Sequence, residues 1–600
     1  MSSIRLQSIA KGEAPAPWLS RYPEFVPAKL DYPEQPVWWL LEQAAKNYPD
    51  RVATHYYEQE LTYRELHSAA RRTAAMLAER GVQPGMRVGL LLPNIPEYLI
   101  AAYGVWMAGG VIVSISPLMC AEEVAGLIKA TQCHTVIGLD VLASLALDDS
   151  FKPDRLLLTT IQDHLPRWQQ VLYAFARLQR NGLRAGITGL GAASFLDEIA
   201  HHDDTFQPVR SEADTPAYIL PTGGTTGAPK AVVLSHGNLI ANAWQLAHWT
   251  GNRVGEEKVM AVIPFFHSYG LSSCATWSVA TAATLVMFHR FKTEAVLQLI
   301  ERHRPNGFTA VPAMLSSLCE RLRERRYDLS SIEYCISGGA ALDLSVAEEF
   351  ATHTGGFIVE GYGLSESSPV THTGPLDGTA RPGTIGLPLS DTEAVIVDAE
   401  EGIHVMPPGE IGELVIRGPQ VMLGYWNDEE QTGRTIRDGW LFTGDLAVCD
   451  EDGFFRIVDR KKDLIITSGF NVVPADVEHV LRGYPGVRDV AVVGVPDAEK
   501  GEIVKAVFVM EKGMTLDRGR LDRFTSEHLS RHKRPKEVEV LSGDLPRNFL
   551  GKVLRRELRS QENGQPSSGL GTLGTDVPVV LSGSEAAVDT VLSEAQRDAS

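Results

Sequence analysis

The sequence predicts an α/β protein with a large, multi-lobed N-terminal domain of mixed sheets and helices and a small C-terminal α+β domain. The first observation is length, because 600 residues correspond to several domains at roughly 100–200 residues each. The second is an alternation of helical periodicity and short apolar runs over residues 34–140. The third is a change of sequence character after residue 455, where a charged stretch leads into a compact C-terminal segment.

The alternation over residues 34–140 predicts a largely parallel sheet flanked by helices. Apolar residues recur at helical spacing in VWWLLEQAAKNYPDR and ELHSAARRTAAMLAERG, whereas RVGLLLPN and HTVIGLD are short apolar runs typical of buried strands. The nearly uncharged stretch Tyr98–Ser116 is predicted to be a buried helix and a buried strand, separated at Gly109-Gly110. The apolar stretch Phe265–His289 carries Ser, Thr and His residues, so buried core suits it better than a membrane span.

The domain boundary is predicted near Arg460–Asp463. The compact segment after it contains the helical pattern ADVEHVLRG and the strand patterns DVAVVGV and KAVFVM. The remainder is rich in Ser, Gly, Thr and Glu, which is typical of a disordered acidic tail. The predicted parts are therefore an N-terminal extension (1–34), a large domain (35–461), a small domain (462–559) and a tail (560–600).

Composition and charge narrow the class of protein. Hydrophobic residues make up 44% and charged residues 22%, as in a globular protein with a sizeable core. The net charge of −19 disfavours nucleic acid as a partner, because such binding requires neutralisation of phosphates. The six cysteines have no metal-ligand spacing, which predicts buried or half-buried free thiols, and the N-terminus has no apolar secretory segment. These features predict a cytoplasmic protein.

A basic segment keeps membrane association open. Residues His164–Leu196 include four arginines and no acidic residue until Asp197. The apolar residues Trp168, Val171, Leu172, Phe175 and Leu178 lie at helical spacing beside these arginines. This pattern fits an ordinary surface helix, and it also fits a peripheral membrane contact through residues 167–184.

The segment Tyr218–Lys230, YILPTGGTTGAPK, predicts a phosphate-binding loop. Its glycines allow backbone N–H groups to approach an anion closely, its threonines add hydroxyl groups, and Lys230 adds positive charge. It differs from the G-x-x-x-x-G-K-[ST] loop, because Pro229 precedes the lysine and Ala231 follows it.

This loop resembles the signature of adenylate-forming enzymes, which include acyl- and aryl-CoA synthetases, luciferases and peptide-synthetase adenylation domains. Further segments resemble the motifs of that family in the same order, over about residues 35–558: FFHSYG, SGGA, GYGLSE, GWLFTGD, VDRKKD and PRNFLGK. Within the family, PTGGTTG, GYGLSESSPV, GPQVMLGYW, VDRKKDLIITSGFNVVP and GKVLRRELR resemble bacterial long-chain fatty acid–CoA ligases most.

The resemblance implies a set of ATP- and AMP-binding residues. Glu366 and Thr222 would bind Mg²⁺, which bridges phosphate oxygens. Tyr362 would stack on adenine beside Gly339 and Gly361, and Asp445 would accept hydrogen bonds from the ribose hydroxyls. The remaining nucleotide-binding residues implied by the resemblance are Gly223, Gly224, Thr225, Thr226, Gly227, Lys230, Ser365 and Arg460.

The resemblance also implies the catalytic residues, which are Lys552, His267, Lys462 and the Mg²⁺ carboxylate Glu366. Lys552 would bridge the acyl carboxylate and the α-phosphate, and His267 would border that carboxylate at the acyl tunnel. Lys462 would be the hinge about which a mobile C-terminal domain rotates between two half-reactions. Gly469 would then line the CoA channel, where a small residue permits close approach.

Five positions depart from the wider family pattern, and one of them is Ser365, which replaces the commoner threonine and keeps the hydroxyl. Gly223 stands where many members have serine, and Ala231 replaces a frequent glycine after Lys230. Ile466 stands where some relatives carry a lysine, and Leu271 where one branch has a tryptophan gate, so neither of those functions is carried over.

The resemblance therefore implies an ATP-dependent ligase that joins a long-chain fatty acid to CoA through an acyl-AMP, with Mg²⁺ as cofactor. The alternatives are a CoA ligase for an aryl or specialised acid, and a fatty acyl-AMP ligase that loads a carrier protein. An inactive binding or transport protein is disfavoured, because Glu366, Asp445 and Lys552 are all present. Dimers are common in the family, which leaves a homodimer open; chain length, pathway and the role of the tail are not encoded in these motifs.

Overall fold

The computed structural model describes residues 4–146, 155–165, 170, 173, 192–222, 230–467, 470–497, 500–548 and 551–560, without the side chains of Thr222, Phe470 and Ser560. The α-helices of this part of the chain are α1 (Trp38–Asn47), α2 (Tyr63–Glu79), α3 (Pro96–Met107), α4 (Ala121–Thr131), α5 (Phe195–Ala200), α6 (His236–Trp249), α7 (Ser268–Gly270), α8 (Trp277–Ala280), α9 (Thr293–His303), α10 (Pro312–Glu324), α11 (Leu344–Thr354), α12 (Glu429–Thr435), α13 (Pro474–Arg482), α14 (Arg518–His528) and α15 (Arg555–Ser560). A π-helical turn, Leu271–Thr276, lies between α7 and α8.

The strands in the same residues are β1 (Val52–Tyr56), β2 (Gln59–Thr62), β3 (Arg87–Leu91), β4 (Val111–Ser114), β5 (Thr135–Leu139), β6 (Arg155–Thr159), β7 (Ala193–Ser194), β8 (Pro216–Thr222), β9 (Lys230–Ser235), β10 (Lys258–Ala261), β11 (Thr284–Met287), β12 (Gly307–Ala310), β13 (Tyr334–Ser337), β14 (Phe357–Gly363), β15 (Val370–Thr373), β16 (Leu387–Pro388), β17 (Glu393–Val397), β18 (Gly412–Arg417), β19 (Gly424–Tyr425), β20 (Ile436–Arg437), β21 (Trp440–Cys449), β22 (Phe455–Arg460), β23 (Ile465–Thr467), β24 (Phe470–Val472), β25 (Val487–Asp497), β26 (Gly501–Met510) and β27 (Glu537–Leu541). Short 3₁₀ turns are Leu6–Ser8, Pro17–Arg21, Asp140–Ala146, Gln162–His164, Ser365–Ser367 and Lys461–Asp463.

The described residues divide into two compact units that are each discontinuous in sequence. The large unit contains residues 19–392 and 417–437, and the small unit contains residues 4–18, 393–416 and 438–560. The N-terminal extension predicted over 1–34 thus contributes to both units. The predicted boundary between residues 461 and 462 stays a prediction.

Sheets with parallel cores build the large unit. One has the order β16-β15-β14-β13-β12-β10-β11-β1-β2, with parallel pairing from β14 to β1 and antiparallel pairing at both edges. Another has the order β19-β9-β8-β4-β3-β5-β6-β7, with antiparallel pairing only where β9 joins β8 and β19. The predicted α/β class with largely parallel pairing is confirmed, although the parallel strands are divided between these sheets.

Local sequence explains where the elements begin and end. Helix α2 begins at a capping box, in which the Thr62 hydroxyl accepts from the Glu65 N–H and the Glu65 carboxylate accepts from the Thr62 N–H. Helix α3 is buried all round and is followed by Gly109, whose φ of +77° turns the chain into β4. The stretch Tyr98–Ser116 is therefore a buried helix and strand, as predicted.

The stretch Phe265–His289 also forms buried core, through α7, the π-helical turn, α8 and β11. Within the described ranges, no helix combines the length and the apolar character that crossing a bilayer would require. The basic segment 167–184 lies outside the described residues except for Gln170 and Tyr173.

The small unit contains an antiparallel sheet and an α+β layer. Strands β17, β18, β21 and β22 are neighbours in the first sheet, where Leu6 and Ile9 pack against Val395 and Trp440. The second sheet has the order β24-β23-β26-β25, with β27 parallel to β26. Helices α13 and α14 cover one face of this sheet and Leu558 of α15 packs on the other, which explains the alternating apolar residues of β25 and β26.

All six cysteines are free thiols, as predicted. Cys133, Cys274 and Cys335 are buried, and this burial raises the pKa of each thiol. Cys120 differs from the prediction because it is exposed, at the residue that precedes α4.

Candidate functional site

The predicted phosphate loop joins two antiparallel strands of the large unit. Strand β8 ends at Thr222 and β9 begins at Lys230, and these two residues pair across the strands. The intervening Gly223, Gly224, Thr225, Thr226 and Gly227 lie outside the described residues, as does the side chain of Thr222. Their predicted contacts with phosphate stay predictions.

Lys230 lies beside a tyrosine that also contacts Glu366. The Lys230 ammonium is 5.2 Å from the centre of the Tyr425 ring, within the range of a cation–π contact. The Tyr425 hydroxyl donates a hydrogen bond of 2.8 Å to Glu366 Oε1. Burial and the adjacent Glu366 carboxylate raise the pKa of Tyr425 well above its usual range, so its hydroxyl stays protonated and stays a donor.

The backbone places these three side chains together. Tyr425 belongs to β19, which pairs with β9 so that Tyr425 lies opposite Val232, two residues from Lys230. Glu366 lies in the short turn after β14, where its carbonyl accepts from the Met422 N–H at 2.8 Å. The segment 422–425 therefore connects the end of the phosphate loop to the predicted Mg²⁺ carboxylate.

His267 lies at the start of α7, where its Nδ1 accepts from the Tyr269 N–H at 3.2 Å. Burial lowers the pKa of His267 to about 4, so the imidazole is neutral at pH 7 and carries its hydrogen on Nε2. The next residue, Ser268, is hydrogen-bonded to the predicted nucleotide residue Ser365, with 3.2 Å between their hydroxyl oxygens. His267 and Ser365 therefore belong to one neighbourhood.

The predicted adenine residues follow the ends of adjacent parallel strands. Gly361 and Tyr362 lie in the last three residues of β14, and Gly339 follows β13, which is the neighbour of β14. A Cβ at Gly361 would come within 2.9 Å of Ile336, and Gly339 has a φ of +85°, so both positions favour glycine. The Tyr362 ring contacts the buried His372 ring edge to face, which orients it from one side.

In the small unit, Asp445 and Arg460 face each other across strands β21 and β22. Arg460 Nε lies 3.3 Å from Asp445 Oδ1, and the Asp445 side chain is largely buried. The adjacent turn is held by Glu413, a buried carboxylate that accepts from the Gly444 N–H at 3.1 Å and from Lys461 Nζ at 2.8 Å. Glu413 therefore connects the predicted ribose-binding turn to Lys461, the residue before the predicted hinge residue Lys462.

Lys462 and Lys552 are in the same electrostatic environment. The pKa of Lys552 is lowered to about 8, first by burial and then by the nearby cations Arg460 and Lys462, against the opposing effect of Asp445. Burial and Arg460 also lower the pKa of Lys462. The structure thus brings Lys552 close to Asp445, Arg460 and Lys462, although even Lys462, the nearest of them in sequence, is 90 residues away along the chain.

The turn that carries Lys552 is closed by its own backbone. Asn548 Oδ1 accepts from the Lys552 N–H at 2.9 Å, and the Lys552 carbonyl accepts from the Asn548 N–H at 2.9 Å. Gly551 has a φ of +79°, which accommodates this reversal. The predicted CoA-channel residue Gly469 lies outside the described residues.

The sequence motifs did not identify Tyr425 and Glu413 as site residues. Tyr425 belongs to the quoted segment GPQVMLGYW, but its contact with Glu366 joins residues 59 positions apart. Glu413 precedes a run of apolar strand residues and has the pattern of an ordinary strand residue. A carboxylate beside buried positions nevertheless indicates that the carboxylate has a partner in the interior.

The donor set is compatible with Mg²⁺ held mainly by a nucleotide. Glu366 offers a half-buried carboxylate, of which Tyr425 engages one oxygen. Among the described residues, no group of three or more His, Cys, Asp or Glu side chains forms a metal site. A single protein carboxylate with phosphate oxygens is a common arrangement for Mg²⁺, whereas Zn²⁺ sites need more protein ligands.

Comparisons with known proteins show the family to which the chain belongs. The family model described as AMP-binding enzyme matches residues 41–426, and that of the AMP-binding enzyme C-terminal domain matches residues 476–552. The long-chain-fatty-acid–CoA ligase of Bacillus subtilis (strain 168) is 39% identical over 551 residues, which cover 91% of this chain and 98% of that protein. The feruloyl-CoA synthase of an Amycolatopsis species is 32% identical, over 87% of this chain and 98% of that protein.

Solved structures show the same fold. The o-succinylbenzoate coenzyme A synthetase of Bacillus subtilis, in complex with ATP and magnesium ion, matches 87% of this chain and 99% of its own with a TM-score of 0.71 and 28% identity. The family match covers more than half of the chain and includes both the large and the C-terminal segments. The chain therefore belongs to the AMP-binding enzyme family, the adenylate-forming enzymes that its motifs resemble.

Proposed function

We propose that this protein is an AMP-forming fatty acid–CoA ligase whose substrates are long-chain fatty acids. The observation that carries the proposal is the 39% identity to a long-chain-fatty-acid–CoA ligase across nearly the full length of both chains. The cationic and carboxylate groups described above support it, because they match the charges that such a reaction develops.

In the first half-reaction, the fatty acid carboxylate attacks the α-phosphate of ATP, giving acyl-AMP and pyrophosphate. Both reactants are anions, so the reaction needs cations between them. Lys230 is proposed to neutralise phosphate oxygens at the end of the loop, and Lys552 to contact the carboxylate and the α-phosphate. Glu366 and Thr222 would hold Mg²⁺, which supplies further positive charge to the phosphates when bound.

The nucleotide is proposed to be held by the residues that the resemblance implies. Tyr362, Gly339 and Gly361 would form the adenine pocket with Ser365 beside it, and Asp445 would accept from the ribose hydroxyls. Arg460 would hold the Asp445 carboxylate in its orientation through the ion pair at 3.3 Å. The glycines and threonines of the loop 223–227 would donate to phosphate oxygens.

In the second half-reaction, the CoA thiol attacks the acyl carbon of acyl-AMP, giving the thioester, AMP and a proton. Lys462 is proposed as the hinge for the change from the first half-reaction to the second, and Gly469 as the residue that lets CoA approach. His267 is proposed to border the acyl carboxylate as a neutral group, because a cationic imidazole is disfavoured by its burial.

A second candidate is a CoA ligase for an aryl acid, which the 32% identity to a feruloyl-CoA synthase favours. A third is an acyl-AMP ligase that transfers the acyl group to a carrier protein. Product analysis separates these reactions: ATP, Mg²⁺ and acids from C6 to C18, together with aryl acids, are supplied with and without CoA. Long-chain acyl-CoA with AMP and pyrophosphate supports the proposal, turnover of aryl acids alone supports the second candidate, and accumulation of adenylate in the presence of CoA supports the third.

The peripheral membrane contact through residues 167–184 and a homodimer stay predictions. Replacement of Arg167, Arg177, Arg180 and Arg184 by glutamine tests the first, with co-sedimentation on anionic liposomes as the measurement. Unchanged co-sedimentation would rule out a contact that depends on these charges. Sedimentation equilibrium tests the dimer.

A further inference from the structure

We infer that Arg555 is a positioning residue for Lys552. The ion pairs of Arg555 with Asp459 and Glu478 hold Lys552 at the strand pair β21–β22. This inference rests on the proposed role of Lys552 in adenylation. Arg555 belongs to α15, and the reaction described above gives it no contact with the fatty acid, ATP or CoA.

The Arg555 guanidinium connects three carboxylates of the small unit. Its Nη1 lies 2.9 Å from Asp459 Oδ1 and 3.6 Å from Asp463 Oδ2, and its Nη2 lies 2.8 Å from Glu478 Oε1. The Asp459 and Glu478 side chains are only 3% and 9% exposed, so these charges are shielded from solvent. Buried and geometrically specific ion pairs of arginine constrain position more strongly than exposed ion pairs do.

Two of these carboxylates, Asp459 and Glu478, are themselves fixed by backbone N–H groups. Asp459 accepts from the Ala475 N–H at 3.0 Å and from the Arg460 N–H at 2.7 Å, and Glu478 accepts from the Val492 N–H at 2.9 Å. The guanidinium is therefore placed by groups that belong to β22, α13 and β25, rather than by mobile side chains alone.

The contact with Asp459 connects Arg555 to the strand that pairs with Asp445, the proposed ribose-binding residue. Asp459 is opposite Leu446 on the β21–β22 pair, and the next residue, Arg460, is opposite Asp445. Arg555 begins α15 three residues after Lys552, and the Lys552 turn is closed by Asn548. The distance between the Lys552 ammonium and Asp445 thus depends on where Asp459 holds Arg555.

The alternative is that Arg555 only stabilises the small unit, since losing one member of a buried ion network is destabilising in general. The two roles predict different effects on the two half-reactions. A positioning residue for Lys552 affects adenylation, because Lys552 is proposed to act there. Thioester formation from a presynthesised acyl-adenylate bypasses that step, so a positioning defect leaves it intact.

The experiment compares Arg555→Ala with Arg559→Ala, a control in the same helix whose arginine lies 3.4 Å from Asp463 and is not joined to Asp459. Single-turnover pyrophosphate release at saturating ATP and long-chain acid measures adenylation. Conversion of the synthetic acyl-adenylate with CoA, in the same preparation, measures thioester formation and reports on folding of the full chain.

For Arg555→Ala we expect adenylation to fall by about tenfold to a hundredfold, as for displaced catalytic groups in general, with thioester formation within about twofold of the unchanged protein. Arg559→Ala should keep both rates within about twofold, since its ion pair is longer and partly exposed. Arg555→Lys should recover only part of the adenylation rate, because one ammonium cannot reproduce two guanidinium contacts.

Asp459→Asn and Glu478→Gln separate position from stability. Asp459→Asn should reproduce the selective loss of adenylation more strongly than Glu478→Gln, because only Asp459 lies on the strand that pairs with Asp445. Equal losses in both half-reactions, or no loss for Arg555→Ala, would overturn the inference. Lys552→Ala is measured in parallel: full adenylation by that variant would reject the proposed role of Lys552 and, with it, the positioning role of Arg555.

Discussion

The Tyr425 hydroxyl donates a hydrogen bond of 2.8 Å to Glu366 Oε1 while its ring lies under the Lys230 ammonium. One aromatic side chain thus contacts the residue at the end of the phosphate loop and the proposed Mg²⁺ carboxylate. Because the phenol stays protonated, it can donate to one carboxylate oxygen and leave the other oxygen of Glu366 for Mg²⁺.

Tyr425→Phe tests this arrangement, since it removes the hydroxyl and keeps the ring beside Lys230. A hydrogen bond to a charged group contributes about 1.5 kcal/mol or more, so we expect about a tenfold weaker apparent affinity for MgATP. Binding of AMP, which requires no Mg²⁺, should change by less than about twofold by the same reasoning. Isothermal titration with each nucleotide gives both values.

The control for that variant is Tyr48→Phe, which removes a hydroxyl whose hydrogen bond to the Val254 carbonyl is long, at 3.5 Å. It should leave both nucleotide affinities unchanged. If Tyr425→Phe binds MgATP as tightly as the unchanged protein does, Tyr425 does not orient the Glu366 carboxylate for Mg²⁺.

The lowered pKa of Lys552 predicts a pH dependence of adenylation. Lys552 must be protonated to neutralise two anions, and its pKa in the free protein is about 8. We therefore expect kcat/KM for ATP to decline as pH rises through about 8, whereas an ordinary lysine would hold its charge to about pH 10. Initial rates of pyrophosphate release between pH 6 and 10 measure the decline.

The same depression of the pKa affects stability with a definite sign. Between pH 8 and the ordinary lysine pKa of 10.5, the unfolded chain binds more protons at Lys552 than the folded chain. The contribution of Lys552 to the free energy of unfolding therefore rises with pH over that interval. Lys552→Arg stays charged throughout, so an alkaline decline in kcat/KM that persists in this variant would belong to another group.

Glu413→Gln should lower the free energy of unfolding by about 1–3 kcal/mol, because the buried partner of Lys461 loses its charge. It should also raise the KM for ATP, since Glu413 holds the Gly444 turn that precedes Asp445. Urea unfolding and steady-state kinetics measure the two effects. Glu410→Gln is the exposed control, and equal stability of the two variants would contradict the buried role of Glu413.

The buried His267 should stay neutral over the physiological range. Its pKa is lowered from 6.5 to about 4, so between these values the unfolded chain binds the additional proton. The contribution of His267 to stability is therefore complete above about pH 6.5 and is lost progressively as pH falls towards 4. Histidine-selective NMR, with the signal assigned by His267→Gln, should show no titration between pH 5.5 and 8.

A midpoint near 6.5 in that titration would show a solvated His267 and would contradict its burial. His248, a half-buried histidine at the C-terminal end of α6, provides a reference signal in the same spectrum.

The sequence by itself determined the α/β class, the order of the motifs and the identity of most proposed site residues. Periodic apolar residues predicted α2 and α13, and the glycine pair at 109–110 predicted the break between α3 and β4, because these features depend on local backbone and burial preferences. Membership of the AMP-binding enzyme family followed from the same motifs, since their residues are read in order along the chain.

The tertiary structure alone decided which distant side chains meet. Tyr425 meets Glu366 because β19 pairs with β9, and Arg555 meets Asp459 because the fold brings the first residue of α15 next to a residue of β22. The shifted pKa values of Lys552 and His267 also arise only in the fold, because burial and neighbouring charges are set by residues far away in sequence. Local sequence patterns do not encode such contacts. Sequence analysis therefore finds the proposed catalytic groups but misses the residues that hold them in place.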